Sequence, residues 1–271
     1  MTLLQKLACL GLLLGFIPTA VAHDFWLAPG QYYSDEPAAV SVQFKVGHEE
    51  DAANWNLSWD KIVALRTYSE GGIADMAASI IPRSEFMPGV AKTAKLKSGT
   101  HLIGFESYHS FSSLEAEKFN SYAEEEGLAE IIAYREKKGL TTTPGTELFS
   151  RKAKTMIQVG DALSDIATTP IGHTLEIVPL QHPAAIEPGD TLPVQVLFKG
   201  EPLANALIDA TPLAGADHKE QALTTDNEGK ATFRLTGKGP VKLNVIWGVA
   251  LRNNQQADYE SYFSSFTFTV R

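Results

Sequence analysis

Apolar residues at every second position constrain this chain most. In "AAVSVQFKVG" Val40, Val42, Phe44 and Val46 alternate with polar neighbours, and in "EPGDTLPVQVLF" Leu192, Val194, Val196 and Phe198 repeat the pattern. Successive side chains of a strand point to opposite faces, so each segment reads as a half-buried strand that must cover its apolar face with a second layer. "THLIGFESY" follows a glycine turn as another strand. "TTDNEGKATFRL", "KLNVIWGV" and "SSFTFTV" supply an acidic turn and further strands towards the end. The expected fold class is mainly β with a helical insertion, an N-terminal β-rich domain followed by a C-terminal immunoglobulin-like β-sandwich.

The chain divides by pattern. Residues 1–22 carry Lys6, the apolar run "LACLGLLLGFI" and the small-residue triplet Ala20-Val21-Ala22, the layout of a secretory signal peptide cleaved between Ala22 and His23. The run is shorter than the roughly 20 residues that span a bilayer, and no second long apolar run follows. Residues 23–170 form the N-terminal domain and 171–271 the sandwich. A helical insertion over about 112–138 is expected to open on a capping box of Ser112 and Glu115. Gly127 bends or splits that helix, and "EEE" at 124–126 reads as a solvated face. These features place the protein in the periplasm or outside the cell.

Composition removes several chemistries. The single cysteine, Cys9, lies in the leader, so disulfides, thiolate-bound zinc and thiol nucleophiles are excluded from the exported chain. The net charge of −9 argues against nucleic acid as a partner. No H-E-x-x-H, G-x-S-x-G or G-x-x-x-x-G-K motif occurs, which leaves the histidines as the candidate chemistry.

His23 stands out because cleavage would make it the first residue. An N-terminal histidine offers its α-amine and its imidazole to one metal ion, and a second imidazole completes a three-nitrogen brace. Nitrogen ligands in a near-planar arrangement suit Cu(II) or Ni(II). His48, at the end of the Val40–Val46 strand in "VGHEED", is the preferred partner. Asp24, Glu49, Glu50 and Asp51 add charge that favours a cation. His109, in "ESYHSF", is the candidate third ligand. His101 and His173 read as structural, and His182 and His218 as loop residues.

Several segments together resemble a known family. "AHDFWL", "VGHEED", "EKFNSYAEEEGL", "ELFSRKAKTMIQVG", "HTLEIVP", "GEPLANALIDA", "TTDNEGKATFRL" and "ADYESYFSSFTF" look like the secreted family called domain of unknown function 4198. Lys152 departs from the pattern, standing where a bulkier aromatic is usual. Some members of that family are described as periplasmic components of nickel or cobalt uptake systems. The resemblance therefore implies a metal ion as ligand and a membrane metal-uptake transporter as partner, and it supports His23 and His48 as ligands.

The expected function is that of an extracytoplasmic metal-binding protein that captures or delivers nickel, cobalt or copper for uptake. The alternatives are a copper histidine-brace oxidative enzyme and a metal-free interaction module. A carrier is preferred over an enzyme.

Overall fold

A computed structural model describes residues 24–48, 52–55, 57–85 and 88–271. The leader over residues 1–22, its cleavage site and the candidate ligand His23 lie outside the described residues, as do Glu49, Glu50 and Asp51.

The described residues are mainly β with two helices. Numbering only strands of five residues or more, the order is β1 (Phe25–Pro29), β2 (Ser41–Val46), β3 (Ile62–Ser69), β4 (Gly99–Ser107) and β5 (Ser110–Leu114). Helices α1 (Ala116–Glu125) and α2 (Ala129–Lys138) follow, then the long β6 (Gly145–Val159). The remainder is β7 (Leu175–Pro179), β8 (Thr191–Phe198), β9 (Leu207–Pro212), β10 (Lys230–Arg234), β11 (Gly239–Ala250) and β12 (Tyr259–Val270).

One ten-stranded sheet runs through the molecule in the order Gln221–Thr224, β9, β11, β12, β6, β4, β3, Gly72–Asp75, with β5 and Tyr33–Ser34 also pairing with β6. It takes strands from both sides of residue 170. The join is the parallel pairing of β6 with β12, from Glu147↔Tyr259 to Thr155↔Thr267.

The alternating side chains of this sheet feed different cores. On one face Ala153, Ile157 and Val159 of β6 and Ile103 and Phe105 of β4 pack with Phe25, Leu27, Val42 and Phe44 of the five-stranded sheet. The Phe105 ring centroid is 5.2 Å from that of Phe25 and 5.3 Å from that of Phe44. Each such fully buried aromatic contributes about 1.5–3 kcal/mol relative to exposure.

On the other face Met156, Val241, Leu243, Val245, Phe266 and Phe268 pack with Leu175, Ile177, Leu192, Val194, Val196 and Phe233 of the β7–β8–β10 sheet. That second layer completes the immunoglobulin-like sandwich expected from the alternation at residues 192–198.

The helices lie on the first face. Phe119, Tyr122, Leu128 and Ile131 pack on Ile246, Tyr259 and Phe263. Gly127, at φ +64°, splits the helical segment as expected, and a Cβ there would meet Leu207 at 2.6 Å. The helix start differs from the expectation: Ser112 is a strand residue, paired with Glu147 across β5 and β6, and α1 begins after Glu115. Held in β5, Ser112 stands outside the first turn of α1, which has no side-chain cap. Glu115 serves as N-cap through its carbonyl, which accepts from Phe119 N at 2.9 Å. Among the described residues no helix is long and apolar enough to cross a membrane.

Candidate metal centre

Two strands bring the candidate residues to one rim. β1 and β2 pair antiparallel from Phe25↔Val46 to Pro29↔Val42, and beyond the Phe25↔Val46 pair the Gly47 N–H donates to the Asp24 carbonyl at 3.1 Å. Gly47 adopts φ +124°, a conformation open to glycine, and turns the chain directly before His48. His48 is exposed.

His48 and Asp24 line a cavity of about 480 Å³ on the first face of the large sheet. Glu125 and Glu126, at the end of α1, form a second wall, and Asp209, Lys242 and Asn244, from β9 and β11, form its floor. Asp209 and Asn244 are register partners, which sets both side chains on this face.

Asp24 is buried and pairs with the buried ammonium of Lys242, whose nitrogen also stands 4.9 Å from the centroid of the Trp26 ring. The Asn244 amide donates to Asp24 Oδ1 at 2.9 Å and to Asp209 Oδ2 at 3.3 Å. The Asn244 carbonyl oxygen is buried with no partner among the described residues.

The cavity is rich in carboxylates. Burial, then the charges of Asp24 and Asp209, push Glu126 up to about 8. Burial and Asp24 push Asp209 up to about 7, against the lowering effect of Lys242. Both shifts report the same thing: several carboxylates share a poorly solvated space with one lysine among the described lining residues. Such a space attracts cations. Among the described residues, no three His, Cys, Asp or Glu side chains converge closely enough to hold a metal ion by themselves.

His109 stands elsewhere. Its Nε2 is 3.0 Å from Glu260 Oε1 and its ring 6.1 Å from that of Tyr262, a residue of the sandwich core on the opposite face. The sheet therefore lies between His109 and the cavity that His48 lines. The remaining histidines are engaged in the fold. His101 Nε2 lies 2.8 Å from the Lys97 carbonyl, and His182 Nδ1 accepts from Ala184 N at 3.1 Å. His218 Nδ1 accepts from Gly237 N at 3.2 Å. His173 is buried, which drives its imidazole down to about 3.

Sequence reasoning missed Lys242, Asn244 and Asp209, and read the "EEE" block as solvated although two of its members line the cavity. A signal existed. Lys242 and Asn244 sit two residues apart inside the apolar run "VKLNVIW", where period-two spacing places a charge and an amide on one face of a strand.

The fold and this cavity define a two-core β protein with a carboxylate-rich site at the start of its first strand. The chain belongs to the family described as a domain of unknown function, DUF4198, whose model matches residues 20–248. No curated protein matches it.

Among solved structures it is similar to the D0–D1 domain of intimin, at 13% identity and a TM-score of 0.23, covering 90% of this chain and 97% of that one. The D00–D0 domain of intimin matches at 9% identity and 0.23, covering 91% and 99%. A tandem repeat from the extending region of a large adhesion protein matches at 9% and 0.20, covering 91% and 49%. At these TM-scores none of the three bears on what this chain does.

Proposed function

We propose that this protein binds a transition metal ion outside the cytoplasm, capturing or delivering nickel, cobalt or copper for uptake, with His23 and His48 as nitrogen ligands beside the carboxylate-rich cavity. The observation that carries the reading is the β1–β2 pairing, which sets Asp24 and His48 on one cavity. His23 directly precedes Asp24 in the sequence. Lys242 and Asn244 anchor Asp24, and the surrounding carboxylates lower the cost of bringing a divalent cation there. His109, held by Glu260 on the other face, takes no part.

Calorimetric titration of Cu(II), Ni(II) and Co(II) into the chain beginning at His23 tests this. An added Met before His23 turns the amine into an amide and should weaken binding by orders of magnitude. His48→Ala should do comparable damage, and His218→Ala should do none. Equal affinity for the native and Met-extended chains rules out the brace. Absence of binding by every form leaves a metal-free interaction module, and reductant-dependent oxygen consumption by the copper form would identify an oxidative enzyme.

A further inference from the structure

The cavity beside Asp24 and His48 is larger than a metal ion needs. Its floor crosses three strands in one row, from Asn244 of β11 through Asp209 of β9 to Ala222 of the edge strand Gln221–Thr224. Neighbouring strands lie about 4.8 Å apart, so the row extends roughly 10 Å from the strand that anchors Asp24. Bonds from a transition metal to nitrogen or oxygen are about 2 Å long. An ion held at the Asp24 and His48 end touches only that end, and most of the 480 Å³ lies beyond it. The volume is within the roughly 300–1,000 Å³ usual for small-molecule sites.

An ion at that end is also short of ligands. The amine and imidazole of His23 and the imidazole of His48 supply three, whereas square-planar or tetragonal Ni(II) and Cu(II) need at least four. Among the described residues, no group of three His, Cys, Asp or Glu side chains makes up the difference. The remaining positions fall to a molecule from outside, water or a chelator, and the free volume beside them admits the larger.

The walls of that volume select its chemistry. Asp209 and Glu126 are half-buried and Glu125 and Glu220 exposed, so all four keep accessible surface. None of the four forms an ion pair among the described residues, and the ammonium of Lys242 is already taken by Asp24. Each Asp209 oxygen accepts one hydrogen bond, from Thr211 Oγ1 at 2.9 Å and from the Asn244 amide at 3.3 Å, and an ionised carboxylate has room for about four. The described walls therefore offer acceptors and negative charge.

We infer, on the metal-site reading above, that the ion arrives in this cavity already chelated by a small molecule rich in N–H donors, an amine- or imidazole-bearing chelator. The chelator fills the coordination positions that the brace leaves open. Its N–H groups donate to Asp209 and Glu126, and the exposed Glu125 and Glu220 favour a complex that keeps a positive charge. A polycarboxylate chelator meets four carboxylates and is turned away.

Native mass spectrometry and calorimetry on the chain beginning at His23 test the inference at about pH 8.5, above the reference value of the amine. The probes are Ni(II) alone, Ni(II) with an equivalent of histidine, and Ni(II) with an equivalent of citrate. With histidine the protein should carry nickel and histidine together, while citrate should only compete for nickel and never appear bound. Asp209→Asn with Glu126→Gln should weaken binding of the nickel–histidine complex about tenfold more than binding of nickel alone. Glu125→Gln with Glu220→Gln, both at exposed positions that leave the fold intact, should act in the same direction. An equal ternary complex with citrate, histidine bound in the absence of nickel, or equal losses for the ion and the complex in both double variants would overturn the inference. So would nickel bound with no histidine beside it, an outcome that leaves the metal site standing, whereas no nickel bound under any condition overturns the metal site as well.

Discussion

The ammonium of Lys154 lies 2.7 Å from Glu176 Oε1, with both side chains buried, and this pair ties β6 to β7 across the second face of the large sheet. The carboxylate also accepts from Ile171 N at 2.8 Å, Gly172 N at 2.9 Å and His173 N at 3.1 Å. Together these contacts hold Glu176 below the usual carboxylate range despite its burial. Burial holds Lys154 below its ordinary value.

Breaking one side of that pair leaves an uncompensated buried charge. Glu176→Gln and Lys154→Met should each destabilise the fold by about 3–5 kcal/mol in denaturant titrations. The double variant should recover part of the loss, giving a coupling of about 0.5–3 kcal/mol in a double-mutant cycle. Additive losses would show that the two side chains do not interact.

His173 should make the fold acid-sensitive. Its folded value of about 3 lies below the unfolded value of 6.5, so between these the unfolded chain binds more protons. Stability from this group is present above 6.5 and is lost as pH falls towards 3, at up to about 1.4 kcal/mol per pH unit. Thermal unfolding of the native chain and of His173→Asn over pH 4–7 checks this; the variant should show the shallower dependence.

The acidic cavity acts in the opposite sense. Asp209 and Glu126 are raised to about 7 and about 8, so between the ordinary carboxylate values and those the folded chain binds more protons than the unfolded one. Metal-free protein should therefore lose stability from this source as pH rises from about 4 to 8. Asp209→Asn should flatten that part of the profile. An unchanged profile would show that Asp209 titrates in its ordinary range.

Metal affinity should rise markedly between about pH 5 and 8, because the brace ligands bind as free amine and neutral imidazole, with reference values of about 8 and 6.5. Competition titrations at several pH values measure this. A flat profile would rule out the amine and imidazole as the ligands.

Limited proteolysis should cut first at residues 139–144, a fully or partly exposed loop between α2 and β6. The segment 161–170 should follow more slowly, since Ser164 and Ala167 are buried within it. We propose that the division at residue 170 separates no independent bodies, since Met156 and Ala167 pack in the sandwich core with residues beyond it. The fragments should stay associated under native conditions, because β6 pairs with β12 across that boundary. Early cleavage inside β8 would contradict this order.

Local pattern was enough to establish the β class, the strands at 41–46 and 191–198 and the glycine break between the helices. Each rests on spacing within a few residues, where chain geometry alone decides which side chains share a face. The acidic turn in "TTDNEGKATFRL" was legible for the same reason: Asp226 Oδ1 accepts from Glu228 N and Lys230 N, all within five residues.

Tertiary structure decided the rest. The pairing of β6 with β12 joins residues far apart in sequence, from Glu147↔Tyr259 onward, and no local pattern encodes a partner at that distance. That pairing makes one sheet with a core on each face, and so places His109 on the face opposite the cavity lined by His48. The same sheet brings Asp209, Lys242 and Asn244 under Asp24, turning scattered polar residues into one acidic cavity. Sequence named His48 from its strand, but the surrounding charges are set by which strands lie side by side, a property of long-range packing alone.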